Sequence, residues 1–123
     1  DKTLPREQVL YSKKIIENKG NNPNEVFDIP ASLDKTSGNT VIVTCRNTNK
    51  TPKKLYLEFG NSGEKNHSRI YFDVQPSPQT LRYAVRVSCL YKWSAGRVNR
   101  LRVSSDEPAN DVELTQLEVT KGI

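Results

Sequence analysis

The 123-residue chain has no methionine, one histidine, one tryptophan, two cysteines and six glycines, and each shortage removes a class of function. His67 with Cys45 and Cys89 cannot complete a four-ligand zinc site, and no CxxC spacing is present. No metal site is expected. A Cys–His nucleophile is equally unsupported, because His67 falls in a polar loop while both cysteines fall inside strand-like runs, so the loop would have to fold back onto a strand end. The few glycines are scattered and form no phosphate-cradling loop. No apolar stretch approaches the ~20 residues of a membrane helix, so no transmembrane segment is expected. There is no leader-like pattern, and a start at Asp1 with no methionine anywhere reads as a processed product or a piece of a longer protein. The one remaining catalytic arrangement is a carboxylate pair, Glu58 and Asp73, which share outward parity on neighbouring strands. Two solvated strand residues beside Lys54 and Arg69 explain them as well, and no enzymatic activity is expected.

What is present is a strand pattern. Apolar residues make up 34% of the chain, a low share, but they are gathered in short runs, which separates the chain from disordered sequences. From Thr40 onward they recur every second residue. Val41, Val43 and Cys45 share a face, as do Leu55, Leu57 and Phe59, and Ile70, Phe72 and Val74. The longest run puts Leu81, Tyr83, Val85, Val87, Cys89, Tyr91 and Trp93 on one face, and Leu101 and Val103 continue the pattern in the next. In the last strand Val112 and Leu114 are out of step with Leu117 and Val119, which predicts a β-bulge between Leu114 and Leu117. Turn-forming stretches separate the runs (47–53, 60–68, 76–79, 94–96 and 105–110). Six or more short strands predict an all-β, two-sheet antiparallel sandwich over residues 22–123. A small closed barrel of the nucleic-acid-binding type has a similar strand count. Residues 1–21 read as an extension or linker, with Val9, Leu10, Ile15 and Ile16 compatible with a short helix or a first strand. The length suits one core.

The order of motifs resembles the galactose-binding-like, jelly-roll carbohydrate-binding modules that accompany bacterial polysaccharide enzymes. The resemblance runs over residues 22–119. It is carried by Asn22-Pro23 with Phe27-Asp28-Ile29-Pro30, by Val41-Ile42-Val43, Leu55-Tyr56-Leu57-Glu58-Phe59, Ile70-Tyr71-Phe72-Asp73-Val74 and Tyr83-Ala84-Val85-Arg86-Val87, and most of all by Trp93-Ser94-Ala95-Gly96-Arg97-Val98-Asn99-Arg100-Leu101-Arg102-Val103 followed by Val112 to Val119. It implies a jelly-roll sandwich, glycan recognition and a fused or partner catalytic domain. The chain departs from the family at Ser104-Ser105-Asp106-Glu107-Pro108, where an Asp-Pro directly after the strand and a glycine near Ala109 are usual. A structural calcium ion suits such folds, but no motif in the chain supports one, and no cofactor is expected.

Sugar recognition needs an aromatic face for the ring's C–H groups, with planar hydrogen-bonding groups around it. Trp93, with Tyr91 beside it, is either such a platform or the closure of the core, since it shares parity with Val85 and Val87. Tyr56 and Tyr71 have the opposite parity to their apolar neighbours, so they belong to an outer face or a groove. Arg82, Arg86 and Lys92 on one strand and Arg100 and Arg102 on the next form a basic stripe if those strands are neighbours, and Arg pairs bidentately with carboxylate, phosphate or sulfate. A solvated, mixed-charge sheet is the alternative, with Glu113 and Glu118 neutralising part of it. The net charge of +5 favours an acidic partner or serves solubility. The candidate ligand-binding residues are therefore Trp93, Tyr91, Arg86, Arg100, Arg102, Tyr56 and Tyr71. The expected function is a non-catalytic carbohydrate-binding module for an acidic or cell-surface polysaccharide, secreted, at the cell surface or periplasmic. The competing reading is a protein–protein interaction or structural domain of a surface assembly. Nucleic acid is not an expected partner, because Tyr56 and Tyr71 are the only aromatics available to stack along the basic face. Cys45 and Cys89 form either a disulfide or two buried thiols, and Asn49-Lys50-Thr51 and Asn66-His67-Ser68 are glycosylation-type triplets in loops.

Overall fold

The computed structural model describes residues 8–15, 23–30, 32–33, 35, 39–61, 67–87, 93 and 98–121. Strands β1 (Gln8–Lys14), β2 (Glu25–Asp28), β3 (Asn39–Asn47), β4 (Lys53–Gly60), β5 (Ser68–Val74), β6 (Leu81–Arg86), β7 (Arg100–Ser104) and β8 (Val112–Lys121) follow in chain order. They form two four-stranded sheets, β1-β8-β3-β6 and β2-β7-β4-β5, in which every paired neighbour is antiparallel. Only β4 and β5 are consecutive and paired; every other connection crosses from one sheet to the other, which is the jelly-roll order of the two-sheet sandwich.

The period-two pattern decides which face is buried. Val41, Val43, Cys45, Leu114, Leu117 and Val119 from one sheet meet Phe27, Leu55, Leu57, Phe59, Leu101 and Val103 from the other, all at or near zero exposure. Cys45 is a free thiol in this core, and burial pushes its pKa up to about 12. Cys89 and Tyr91 lie outside the described residues with the rest of 88–92, and the described strand of the long run ends at Arg86.

Residues 8–14, where the sequence is compatible with a short helix or a first strand, form β1 and pair with β8 from Gln8↔Lys121 to Lys14↔Gln116. Their alternation is faint because β1 is an edge strand with most side chains exposed. The basic stripe needs revision. β6 and β7, which carry its two halves, lie in different sheets: Arg86 on the β3-β6 side, Arg100 and Arg102 on the β2-β7-β4 side. Parity within each strand was sound, but neighbours in sequence are not neighbours in a sheet when the connection crosses the sandwich.

The bulge in β8 lies where the slipped alternation puts it. Thr44 pairs with Gln116 and Cys45 with Leu114, so Thr115 is the extra residue. Its hydroxyl donates to the Thr44 carbonyl (3.0 Å) and its carbonyl accepts from the Ile15 amide (2.8 Å). Deleting Thr115 restores regular alternation and forfeits these two bonds, at a cost of about 2 kcal/mol. Deleting Glu118 instead turns the fully buried Val119 outward and costs about 3 kcal/mol or more. Denaturant titration of the two deletions checks this, and equal damage would contradict the assignment of the bulge.

Candidate functional site

Among the described residues, the outer face of the β2-β7-β4-β5 sheet gathers a dense set of polar contacts. Register fixes its rows. Val26, Arg102, Glu58 and Arg69 lie across the four strands in one row; Ser104, Tyr56 and Tyr71 form the next; Lys54 and Asp73 pair in the third. Rows stand about 6.6 Å apart, two residues along a strand.

Glu58 anchors this face. It is 8% exposed, and its carboxylate accepts from His67 Nδ1 (2.9 Å) on one oxygen and from Arg69 Nε (2.9 Å) and Arg102 Nη2 (3.0 Å) on the other. Burial pushes its pKa up, but the hydrogen bonds from His67, Arg102 and Arg69 and the Arg102 charge together outweigh burial and hold it below the ordinary carboxylate value. The second ring nitrogen of His67 lies 3.3 Å from the Asn61 carbonyl. His67 lies directly over Gly60, where a Cβ would come within 2.7 Å of its Cδ2, so glycine makes that close approach.

Tyr56 has the outward parity expected of it, yet it is buried. The Arg69 guanidinium sits over its ring at 4.2 Å and Tyr71 meets its edge at 5.6 Å, because central β4 is flanked by long side chains from β5 and β7. Tyr71, on edge strand β5, keeps 45% exposure. Its hydroxyl donates to Asp106 Oδ2 (2.7 Å), and Arg69 Nη1 donates to Asp106 Oδ1 (3.2 Å). Asp106 belongs to the β7–β8 loop, which reaches β5. That loop is tied down by Ser105 Oγ donating to the Glu107 carbonyl (2.7 Å), by Asn49 Nδ2 donating to Asp111 Oδ2 (2.6 Å), and by the fully buried Ala109. Opposite it, Asn47 pins the β3–β4 turn by donating from Nδ2 to the Thr51 and Val74 carbonyls.

Between loop and turn lies an open cleft of about 420 Å³, walled by Pro52, Lys53 and Lys54 on one side, Asp106, Glu107 and Pro108 on the other, with Tyr71 and Asp73 from β5. An aromatic ring beside carboxylates and ammonium groups, in a cleft of this size, matches the needs of a small polar ligand with apolar ring faces. Its charge is slightly acidic, three carboxylates against two lysines.

The candidate residues are thus divided. Tyr71, Arg100, Arg102 and the covered Tyr56 share this face. Arg86 is exposed on the opposite sheet. Trp93 is fully buried, stacked edge-on against Phe59 (6.0 Å, 80°), with Nε1 donating to Asn39 Oδ1 at 2.7 Å, so it closes the core and offers no face to a ligand. Glu58 and Asp73 do not form a hydrolytic pair. Asp73 opposes Lys54, four residues from Glu58 and hence about 13 Å along β4, beyond the ~5–9.5 Å such pairs need. Glu113 and Glu118 pair with Arg46 (2.9 Å) and Arg82 (3.6 Å). Sequence reasoning missed Arg69 as a site residue, although it shares Tyr71's parity, and missed Asp106 and Lys53, which carry no periodic signal. Among the described residues no three His, Cys, Asp or Glu side chains gather closely enough to hold a metal ion, and no helix is long and apolar enough to cross a membrane. No protein-family model matches the chain, and no curated protein matches it.

Proposed function

We propose that the chain is a non-catalytic carbohydrate-binding module for an acidic or cell-surface polysaccharide, acting outside the cytoplasm and beside a glycan-active partner or fused domain. The observation that carries this reading is the cleft at Tyr71. A half-exposed aromatic ring is fixed through its hydroxyl to Asp106, with Asp73, Lys53 and Lys54 around it. A pyranose ring packs its C–H face on Tyr71 while its hydroxyls exchange hydrogen bonds with the carboxylates and ammonium groups. Fixing the aromatic before binding lowers the ordering cost of association. The jelly-roll sandwich agrees with the resemblance to galactose-binding-like modules, but the fold hosts many functions, so the reading rests on the cleft. The free Cys45 means that no disulfide at this residue supports an oxidising compartment, and the secreted location follows from the ligand class alone.

A glycan-array screen of the folded chain at low and at physiological salt tests this. Binding to a defined subset of polysaccharides supports it. A folded chain that binds no glycan at either salt overturns it in favour of a protein partner.

A further inference from the structure

A second, smaller recess of about 100 Å³ lies on the same face, lined by Val26, Glu58, His67, Arg100 and Arg102. It is about a quarter of the volume of the Tyr71 cleft, which suits a charged substituent better than a sugar ring. Its charge is opposite to that of the Tyr71 cleft. Of the residues lining it, Glu58 carries the single carboxylate, and that carboxylate is already held by Arg102, Arg69 and His67. Arg100 is the available donor. Its charged neighbour is Asp28 at 3.9 Å, beyond hydrogen-bond length, and Asp28 is 89% exposed. Val26, 44% exposed, adds an apolar wall. The recess lies four residues along β4 from the Lys54–Asp73 row, about 13 Å away.

We propose that this recess takes the carboxylate of a uronic acid residue, held by the guanidinium of Arg100 with Arg102 behind it, while a neighbouring neutral ring of the same oligosaccharide lies on Tyr71. The assignment rests on the carbohydrate-binding reading and adds a direction to it. The ligand runs along the strands, acidic residue toward Arg100 and neutral residue toward Lys54.

The test is a titration of the ¹⁵N,¹³C-labelled chain, followed by NMR at the Arg100 Nε–H, the Val26 methyls and the Tyr71 ring. The probes are methyl β-D-glucuronoside, methyl β-D-glucoside, sodium acetate and sodium sulfate. The glucuronoside should shift Arg100 and Val26, and the glucoside should shift Tyr71 alone. Arg100→Gln should weaken the glucuronoside about tenfold, the effect of losing one charge-assisted hydrogen bond, and leave the glucoside within twofold. If Tyr71 stays silent with both sugars while Arg100 still responds to glucuronoside and acetate, the carbohydrate reading fails and the carboxylate recess stands. Silence of Arg100 and Val26 toward the glucuronoside overturns the inference, as does tighter binding of sulfate than of either carboxylate.

Discussion

Replacing Trp93 with alanine is expected to destabilise the chain by about 4 kcal/mol, the upper part of the range for emptying a large aromatic site in a core. The ring is wholly buried between the sheets and stacked against Phe59. Its indole N–H also satisfies Asn39 Oδ1, and Asn39 is itself at zero exposure and donates to the Thr120 carbonyl. Removing the indole therefore opens a cavity and takes a donor from a buried acceptor, two costs that add. Trp93→Phe keeps part of the stack and loses the donor, and should cost about 2 kcal/mol. Because Trp93 is the only tryptophan, the unfolding of both variants is followed by circular dichroism in guanidinium. A loss below 1 kcal/mol in the alanine variant would mean that the indole sits at the surface as a ligand platform.

Glu58→Gln should cost about 2 kcal/mol at pH 7, less than the 3–5 of a fully buried pair because the Arg69 and Arg102 side chains are about a third exposed. The carboxylate accepts on both oxygens, whereas an amide accepts on one and presents N–H groups to His67 or to the two arginines. The pH dependence follows from the direction of the Glu58 shift. Its folded pKa lies below the ordinary value of 4.5, so its contribution is complete above that value and is lost as pH falls through the folded pKa. The stability gap between wild type and Glu58→Gln should therefore narrow as pH falls below about 4.5. A gap that widens in acid would reverse the sign of the shift.

How far the sequence could be read depends on the range of the interaction concerned. Alternation is local, so the inward faces of β3, β4, β5, β7 and β8, and even the extra residue Thr115, follow from residue order alone. Strand adjacency is not local. Arg86 and Arg100 are close in the chain but lie on opposite sheets, because the connection after β6 crosses the sandwich. Parity also says which face a residue takes without saying what lies over it. Tyr56 points outward and is buried by Arg69, whereas Tyr71 points outward on an edge strand and remains accessible. Asp106 sits in a loop with no period, and its role beside Tyr71 and Arg69 depends on the fold of that loop across the sheet. Edge strand β1 was faint for a related reason, since with few buried residues it leaves little apolar pattern to detect.

The most direct test of the binding face compares Tyr71→Ala with Arg86→Ala against the strongest ligand from the glycan array, with both variants first shown to be folded. Tyr71 lies in the cleft, and Arg86 is exposed on the other sheet. Tyr71→Ala should weaken binding at least tenfold, the loss of about 1.4 kcal/mol of ring stacking, while Arg86→Ala stays within twofold. Loss of binding in Arg86→Ala with Tyr71→Ala unaffected would move the site to the opposite sheet.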